Sequence, residues 1–380
     1  MRILVLNHEF PPVGGGGGRA AEDICRGLSR SGDEIIVLTA HLRGLPSEED
    51  RDGYRIVRLP SLRTRPYRAS FLSMAAYILA GLWAGRRLIR SVRPEVIHAH
   101  FAVPAGALAW ALSRMTGIPY VLTVHLGDVP GGVPEKTGGW FRWVYPFTRQ
   151  IWRDARRIVA VSEYTRELAL KKYTANIQVI PNGVDLSTLK PNAVHLNEPP
   201  RIIFAGRFMA QKNPLQVVQT LTQLKKAQWQ CVMIGDGPLM QDVRRAVAES
   251  DLQDRFQFTG WIDSQAVLSW FDNGDILFMP SRSEGLPVVG VQALAKGLAI
   301  VASQVGGFVD LVDNNKNGYL IRPENTGQFS TSLLSLLTDS NLLLSFRNAS
   351  LEKAKCFELG QVVKQYEDLF QSVVIDKGSR

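Results

Sequence analysis

The stretch Ser283-Glu284-Gly285-Leu286-Pro287 sets an acid beside a glycine that frees the backbone and a proline able to open a helix. A carboxylate among exposed N–H groups makes a pocket suited to sugar hydroxyls. Upstream, Gly206-Arg207 is followed five residues later by Lys212, just ahead of Asn213-Pro214. Two cations in one loop can neutralise a departing diphosphate without a metal ion. Nearer the N-terminus, Pro11-Pro12-Val13 runs into five glycines, Gly14 to Gly18. Glycines let a backbone approach a phosphate closely, and a helix starting near Arg19 would add N–H donors and the positive end of its dipole. Gly15 and Gly16 are therefore candidate phosphate contacts. Each stretch also has a plainer explanation: a surface turn before a core helix, solvated charges, a loop without ligand. The position of all three relative to the strands separates these readings.

Short apolar runs alternate with helical patterns along the chain. They are Ile3 to Leu6, Ile35 to Thr39, Val96 to Ala99, Tyr120 to Val124, Ile158 to Val161 and Val179 to Ile180. The pattern restarts at Ile202 to Ala205, Cys231 to Ile234, Phe256 to Phe258, Ile276 to Met279 and Ala299 to Ala302. Alternation of this kind predicts an α/β fold with two doubly wound parallel sheets. The expected division is residues 1–185, a Pro- and Asn-rich linker at 186–200, and residues 201–360. An amphipathic helix follows at 361–376, with apolar residues at Val362, Val363, Tyr366, Leu369, Phe370 and Val373. On this layout the glycine run, Arg207 and Glu284 each follow a strand, at the carboxyl edge where open α/β sheets bind ligands.

Residues 15–20 match Gly-x-Gly-x-x-Ala, which raises a dinucleotide-dependent dehydrogenase. Two features oppose it. The loop from Asn7 to Val13 is too long for the tight strand-to-helix turn, and Leu38-Thr39-Ala40-His41 offers no acid for an adenosine ribose.

The motifs together, in order, resemble those of the retaining glycosyltransferases of family 4. They comprise the glycine loop, His125-Leu126-Gly127-Asp128, Ile180-Pro181-Asn182-Gly183-Val184-Asp185, Gly206-Arg207 with Lys212, Gly235-Asp236-Gly237-Pro238, and the Glu284 segment with Gln292-Ala293-Leu294-Ala295 and Gly297. The resemblance covers residues 11 to 297 and implies a GT-B fold, two Rossmann-like domains facing a cleft with the last helix crossing back to the first domain. It implies sugar transfer from a nucleotide donor to a hydroxyl acceptor (a glycan, a lipid-linked group or a small molecule) with retention of configuration, no metal and no other cofactor. It also implies roles: His125 and Glu284 on the donor sugar with Gly285, Leu286 and Pro287, and Arg207 and Lys212 on the diphosphate with Gly15 and Gly16. The family pattern has a second Glu that bonds the nucleotide ribose; here that position is Gln292. An amide oxygen still accepts from a ribose hydroxyl, without charge assistance. Gln292 motivates the competing reading, a noncatalytic sugar-nucleotide binder or scaffold of a polysaccharide assembly complex.

At 380 residues the chain exceeds one typical core, and its three Cys, at 25, 231 and 356, form no zinc or disulfide spacing. A reducing cytoplasm fits, and the first residues carry no secretion signal. The net charge is +9, with 26 Lys and Arg against 16 acids up to residue 190, and 18 against 19 after it. Residues 51–93 hold ten Arg and one acid, Asp52. Such a patch attracts an anionic partner, and the inner face of a membrane is the one considered, with no nucleic-acid module beside the arginines. Within the patch, residues 69–85 are uncharged and predict a helix packed on the first sheet, with Arg68 before it and Arg86, Arg87 and Arg90 after. Trp140, Phe141, Trp143, Tyr145 and Trp152 are further candidates for lipid contact. His98 and His100 alternate on one strand and share a face, but no third ligand is near in sequence.

Overall fold

The structure, a computed structural model, describes residues 1–65, 69–133, 141–189, 191 and 193–378. Arg68 and Trp140 lie outside the described residues, as do the side chains of Phe141 and Trp143. The chain divides into two compact units, Met1–Gly183 with Leu359–Arg380, and Val184–Glu358.

The first unit is built on an eight-stranded sheet in the order β3-β4-β2-β1-β5-β6-β7-β8. The strands are β1 (Arg2–Leu6), β2 (Glu34–Leu42), β3 (Glu48–Arg51), β4 (Tyr54–Arg63), β5 (Val96–His100), β6 (Tyr120–Val124), β7 (Arg157–Ala160) and β8 (Ile177–Val179). All neighbours are parallel except the hairpin β3–β4. Both faces of the sheet are covered, which is why its strands are continuous apolar runs. Period two along β5 sends Ile97 and Ala99 to one core and Val96 to the other, the face His98 and His100 share with Val96.

On the Val96 face lie helix α1 (Gly16–Arg30) and the C-terminal helix Leu359–Gly378. The latter buries Val362, Val363, Tyr366, Leu369, Phe370 and Val373. Each full burial of an apolar side chain is worth about 1.5–3 kcal/mol, enough in sum to tie this helix to a unit from which it is distant in sequence. On the other face, helix α2 (Phe71–Val92) turns Ser73, Tyr77, Gly81, Gly85 and Ile89 inward. The Tyr77 hydroxyl donates to the Leu38 carbonyl at 2.9 Å. Leu108 and Leu112 fill the space left bare by Gly81 and Gly85. No helix of the described residues is long and apolar enough to cross a membrane.

The second unit carries six parallel strands in the order β11-β10-β9-β12-β13-β14. They are β9 (Arg201–Ala205), β10 (Gln230–Ile234), β11 (Phe256–Gly260), β12 (Ile276–Met279), β13 (Ala299–Ser303) and β14 (Gly318–Ile321). The segment entering β9 is fastened to this unit. Asn197 donates to Asp275, and Arg347 reaches Asp275 and the carbonyls of His195 and Gly297. That arginine and aspartate are both buried, each satisfied by the other and by backbone groups, as a buried pair requires.

In both sheets strand order reverses beside the first strand, between β1 and β5 and between β9 and β12. These switch points open a crevice beyond the carboxyl ends of the strands.

Candidate functional site

In the second unit, the loops after β9 and β12 meet because those strands are neighbours. Lys212 Nζ lies 2.6 Å from Glu284 Oε1, with the carboxylate buried and the ammonium mostly so. Gln211 stitches the same loops: its amide nitrogen donates to the Ser283 carbonyl at 3.0 Å, and its carbonyl accepts from the Arg282 N–H at 2.8 Å. Lys212 and Glu284, expected as separate diphosphate and sugar ligands, form one ion pair. Arg207 is half-buried in the same loop, and no carboxylate pairs with it among the described residues. Pro287 caps the helix Val288–Ala295, with its fixed φ of −71° setting the helix entry. Gln292 lies on that helix; the residue is 8% exposed, and its side chain makes no hydrogen bond among the described residues.

The bed of the Glu284 loop comes from residues absent from the sequence reading. Gly306 has φ +56°, and a Cβ there would stand 1.7 Å from the Glu284 carbonyl oxygen. Gly307 donates its N–H to the Gly285 carbonyl, and a Cβ on it would stand 2.1 Å from that oxygen. Only glycines permit this approach. The Gly-Gly pair just after an apolar run was the available signal.

In the first unit, α1 begins at Gly16, three residues before the expected start, with Gly15 as its N-cap. Gly16, Gly17 and Gly18 thus form the first helical turn, and their N–H groups find no backbone acceptor among the described residues. No acid occupies that turn to neutralise it. His125 follows β6 and is buried; its Nε2 has no hydrogen-bond partner among the described residues. A buried orphan of this kind costs about 1–3 kcal/mol unless a ligand meets it. Burial holds the His125 imidazole down to a pKa of about 4, against a small upward pull from Glu9. His98 falls to about 3 and His100 well below its ordinary value, both chiefly through burial, so all three rings are neutral at pH 7.

His98 and His100 do face the same way, with ring centroids 4.3 Å apart. Their surroundings are those of a packed polar core. His98 Nε2 contacts Thr123 Oγ1 at 2.8 Å, which contacts Tyr366 Oη at 3.1 Å on the C-terminal helix. Among the described residues no three His, Cys, Asp or Glu side chains assemble into a metal site.

The basic stretch 51–93 is less exposed than its composition suggests. Arg51 pairs with Glu22 and Glu49, Arg55 with Glu48, and Arg58 with Glu49. Arg63 is fully buried and donates to the carbonyls of His8 and Arg65. Trp152 is also buried, stacked on Tyr173 at 4.0 Å, so it is unavailable to a membrane. Among the described residues of this stretch, the exposed cations without a carboxylate partner are Arg65, Arg93 and, on α2, Arg86, Arg87 and Arg90. Phe71, Leu72, Leu79 and Trp83 of the same helix are 64–72% exposed. Leu72, Leu79, Trp83, Arg86 and Arg90 recur at helical spacing and form one outward face.

The sequence matches two family models, Glycosyltransferase Family 4 over residues 14–188 and Glycosyl transferases group 1 over residues 187–353. It is 26% identical over 357 residues to the sulfoquinovosyl transferase SQD2 of Arabidopsis thaliana, covering 89% of this chain and 66% of that protein's length. Among solved structures, sucrose-phosphate synthase of Thermosynechococcus elongatus superposes with a TM-score of 0.85 at 21% identity, covering 99% of both chains. Anabaena HepE in complex with UDP-glucose superposes at 0.77 with 16% identity, covering 98% of this chain and 100% of that one. Those two likenesses concern the fold.

Proposed function

We propose, from the premise that this chain belongs to the GT-B glycosyltransferases of family 4 and group 1, that it moves a sugar from a nucleotide donor to a hydroxyl acceptor with retention of configuration. The reaction needs no metal ion in this reading, because cationic side chains and backbone N–H groups take the charge of the leaving diphosphate. The observation that carries it is the Lys212–Glu284 pair at the switch point between β9 and β12. A ligand with anionic phosphates and sugar hydroxyls can separate this pair, drawing Lys212 to oxygen anions and leaving Glu284 to accept from hydroxyls.

Arg207 and Lys212 stabilise the diphosphate as the bond from the anomeric carbon to the phosphate oxygen breaks. The acceptor oxygen bonds the anomeric carbon on the face that the leaving group vacates, and its proton passes to the departing phosphate oxygen. Glu284, with Gly285, Leu286 and Pro287, orients the sugar, and Gln292 takes a ribose hydroxyl. In the first unit, His125 Nε2 is the group for the sugar, and the first turn of α1 the group for phosphate. The HepE complex with UDP-glucose is consistent with a nucleotide-sugar donor. The acceptor is a glycan, a lipid-linked group or a small molecule. The exposed apolar and cationic side chains on the outward face of α2 support a further part of this reading, peripheral contact with an anionic membrane surface on its inner side.

The test is a panel of nucleotide sugars incubated with the protein, read as free nucleotide. Slow release from one donor, reduced about 10²- to 10³-fold in Arg207→Ala, is expected. Arg207→Ala is a cleaner variant than Lys212→Ala, which would also strand the buried Glu284 charge. Binding of a donor without any release would favour the noncatalytic reading that Gln292 motivates.

A further inference from the structure

Phe101 follows β5 and has φ +73° with ψ 134°, a conformation that a bulky side chain rarely adopts. The strain is held from both sides. The Phe101 N–H donates to the Thr123 carbonyl at 3.0 Å, and its own carbonyl accepts from the Gly106 N–H at 2.9 Å. The next N–H, that of Ala102, donates to Asp128 Oδ1 at 2.8 Å, while the other oxygen of the same carboxylate accepts from the His125 N–H at 2.9 Å. One buried carboxylate thus locks the Phe101 backbone to the His125 backbone.

This backbone aims the phenyl ring across the loops at the switch point. The ring stacks on the His125 imidazole with centroids 4.4 Å apart and planes 28° apart, and meets His8 edge-on at 5.4 Å. Its far edge fills the space beside α1, where a Cβ on Gly17 would stand 2.6 Å from Phe101 Cζ and 3.2 Å from His125 Cε1. Phe101 is itself only half-buried, so it is not simply core filling. Strain retained at such a place points to a role in arranging the site.

We propose that Phe101 is a positioning residue for His125, holding the imidazole plane and its unpartnered Nε2 toward the donor sugar while pressing against the bare first turn of α1. The proposal rests on the reading of His125 as a sugar contact. The groups around the imidazole are His100 on β5, with ring centroids 5.9 Å away, His98 beyond it, Glu9 after β1, and Asp128 on its own backbone. Phe101 closes the remaining side.

The experiment follows the His125 ring by NMR in protein with isotope-labelled histidine, assigned by its loss in His125→Gln. In the parent protein the ring should stay neutral to about pH 4. In Phe101→Ala, water reaches the ring and its midpoint should rise by about one pH unit or more, toward the ordinary histidine value. Nucleotide release should fall about tenfold or more in kcat, with KM for the donor little changed, as for an interaction made in the transition state. Phe101→Tyr should restore both, and Phe101→Leu, which keeps bulk without stacking, should be read in the same way if the alanine variant does not fold. An unchanged His125 midpoint in a folded Ala or Leu variant would overturn the proposal. Full nucleotide release by His125→Ala, with the midpoint shift still present in Phe101→Ala, would instead overturn the role of His125.

Discussion

At the scale of single residues, the candidate site depends on pairs that composition does not reveal. Lys212 and Glu284 are 72 positions apart, and each has an ordinary explanation alone. Their strands are neighbours in the sheet, so one ion pair results. Gln292 is the position where the chain departs from the family pattern, and its side chain makes no hydrogen bond among the described residues. Gln292→Glu should tighten nucleotide binding, because a carboxylate accepts a stronger hydrogen bond from a ribose hydroxyl than an amide does. Isothermal calorimetry with the nucleotide product would show it; equal or weaker affinity would place the ribose elsewhere. The residues named from sequence were those with charge, an imidazole or a glycine run, and those in the Glu284 motif, Leu286, Pro287 and Gln292. Phe101 and Gly306 escaped because their importance lies in a backbone angle and in a neighbour distant in the chain.

At the scale of elements, apolar runs marked eleven of the fourteen strands, and the misses, β3, β4 and β14, lack a continuous apolar run. In β4, Arg55 and Arg58 interrupt the run Tyr54–Leu59, and both are neutralised by the acids of β3 across the hairpin. Cross-strand pairing is invisible until the register is known. β14 is short, with two of its four residues half-buried. The same pairing offsets Arg51, Arg55 and Arg58, so most of the unpaired exposed arginines of the 51–93 stretch are on α2, where the proposed contact with an anionic surface would be made. Cosedimentation with anionic vesicles should therefore weaken strongly in the triple variant Arg86→Ser, Arg87→Ser, Arg90→Ser, at about 1 kcal/mol per cation near the surface. Leu79→Ser with Trp83→Ser should weaken it further, and high salt should reduce it. Equal binding to neutral and anionic vesicles at low salt would remove the membrane from the account.

At the scale of the whole molecule, the chain leaves its first unit at Gly183, completes a second, and returns to the first at Leu359. The returning helix lies over the polar core of β5 and β6, where Tyr366, Thr123 and His98 form a hydrogen-bonded chain. His98, His100 and His125 all have pKa values lower folded than unfolded, so between about pH 4 and 6.5 the unfolded chain binds more protons. Their contribution is complete above about pH 6.5 and is lost as pH falls, by about 1.4 kcal/mol per pH unit for each ring within that window. Calorimetric unfolding at pH 7 and pH 5 should show a transition moving to lower temperature in acid, and His98→Phe should reduce the shift. A transition indifferent to pH in this range would mean that water already reaches these rings.

Retaining transfer from a nucleotide sugar is decided by proton NMR of the first product formed from the donor. With the donor chosen by nucleotide release, the account predicts that the sugar first appears with the anomeric configuration it had in the donor, before mutarotation, and that Arg207→Ala slows its appearance. First appearance of the opposite anomer, or a bound donor that is never cleaved, would contradict it.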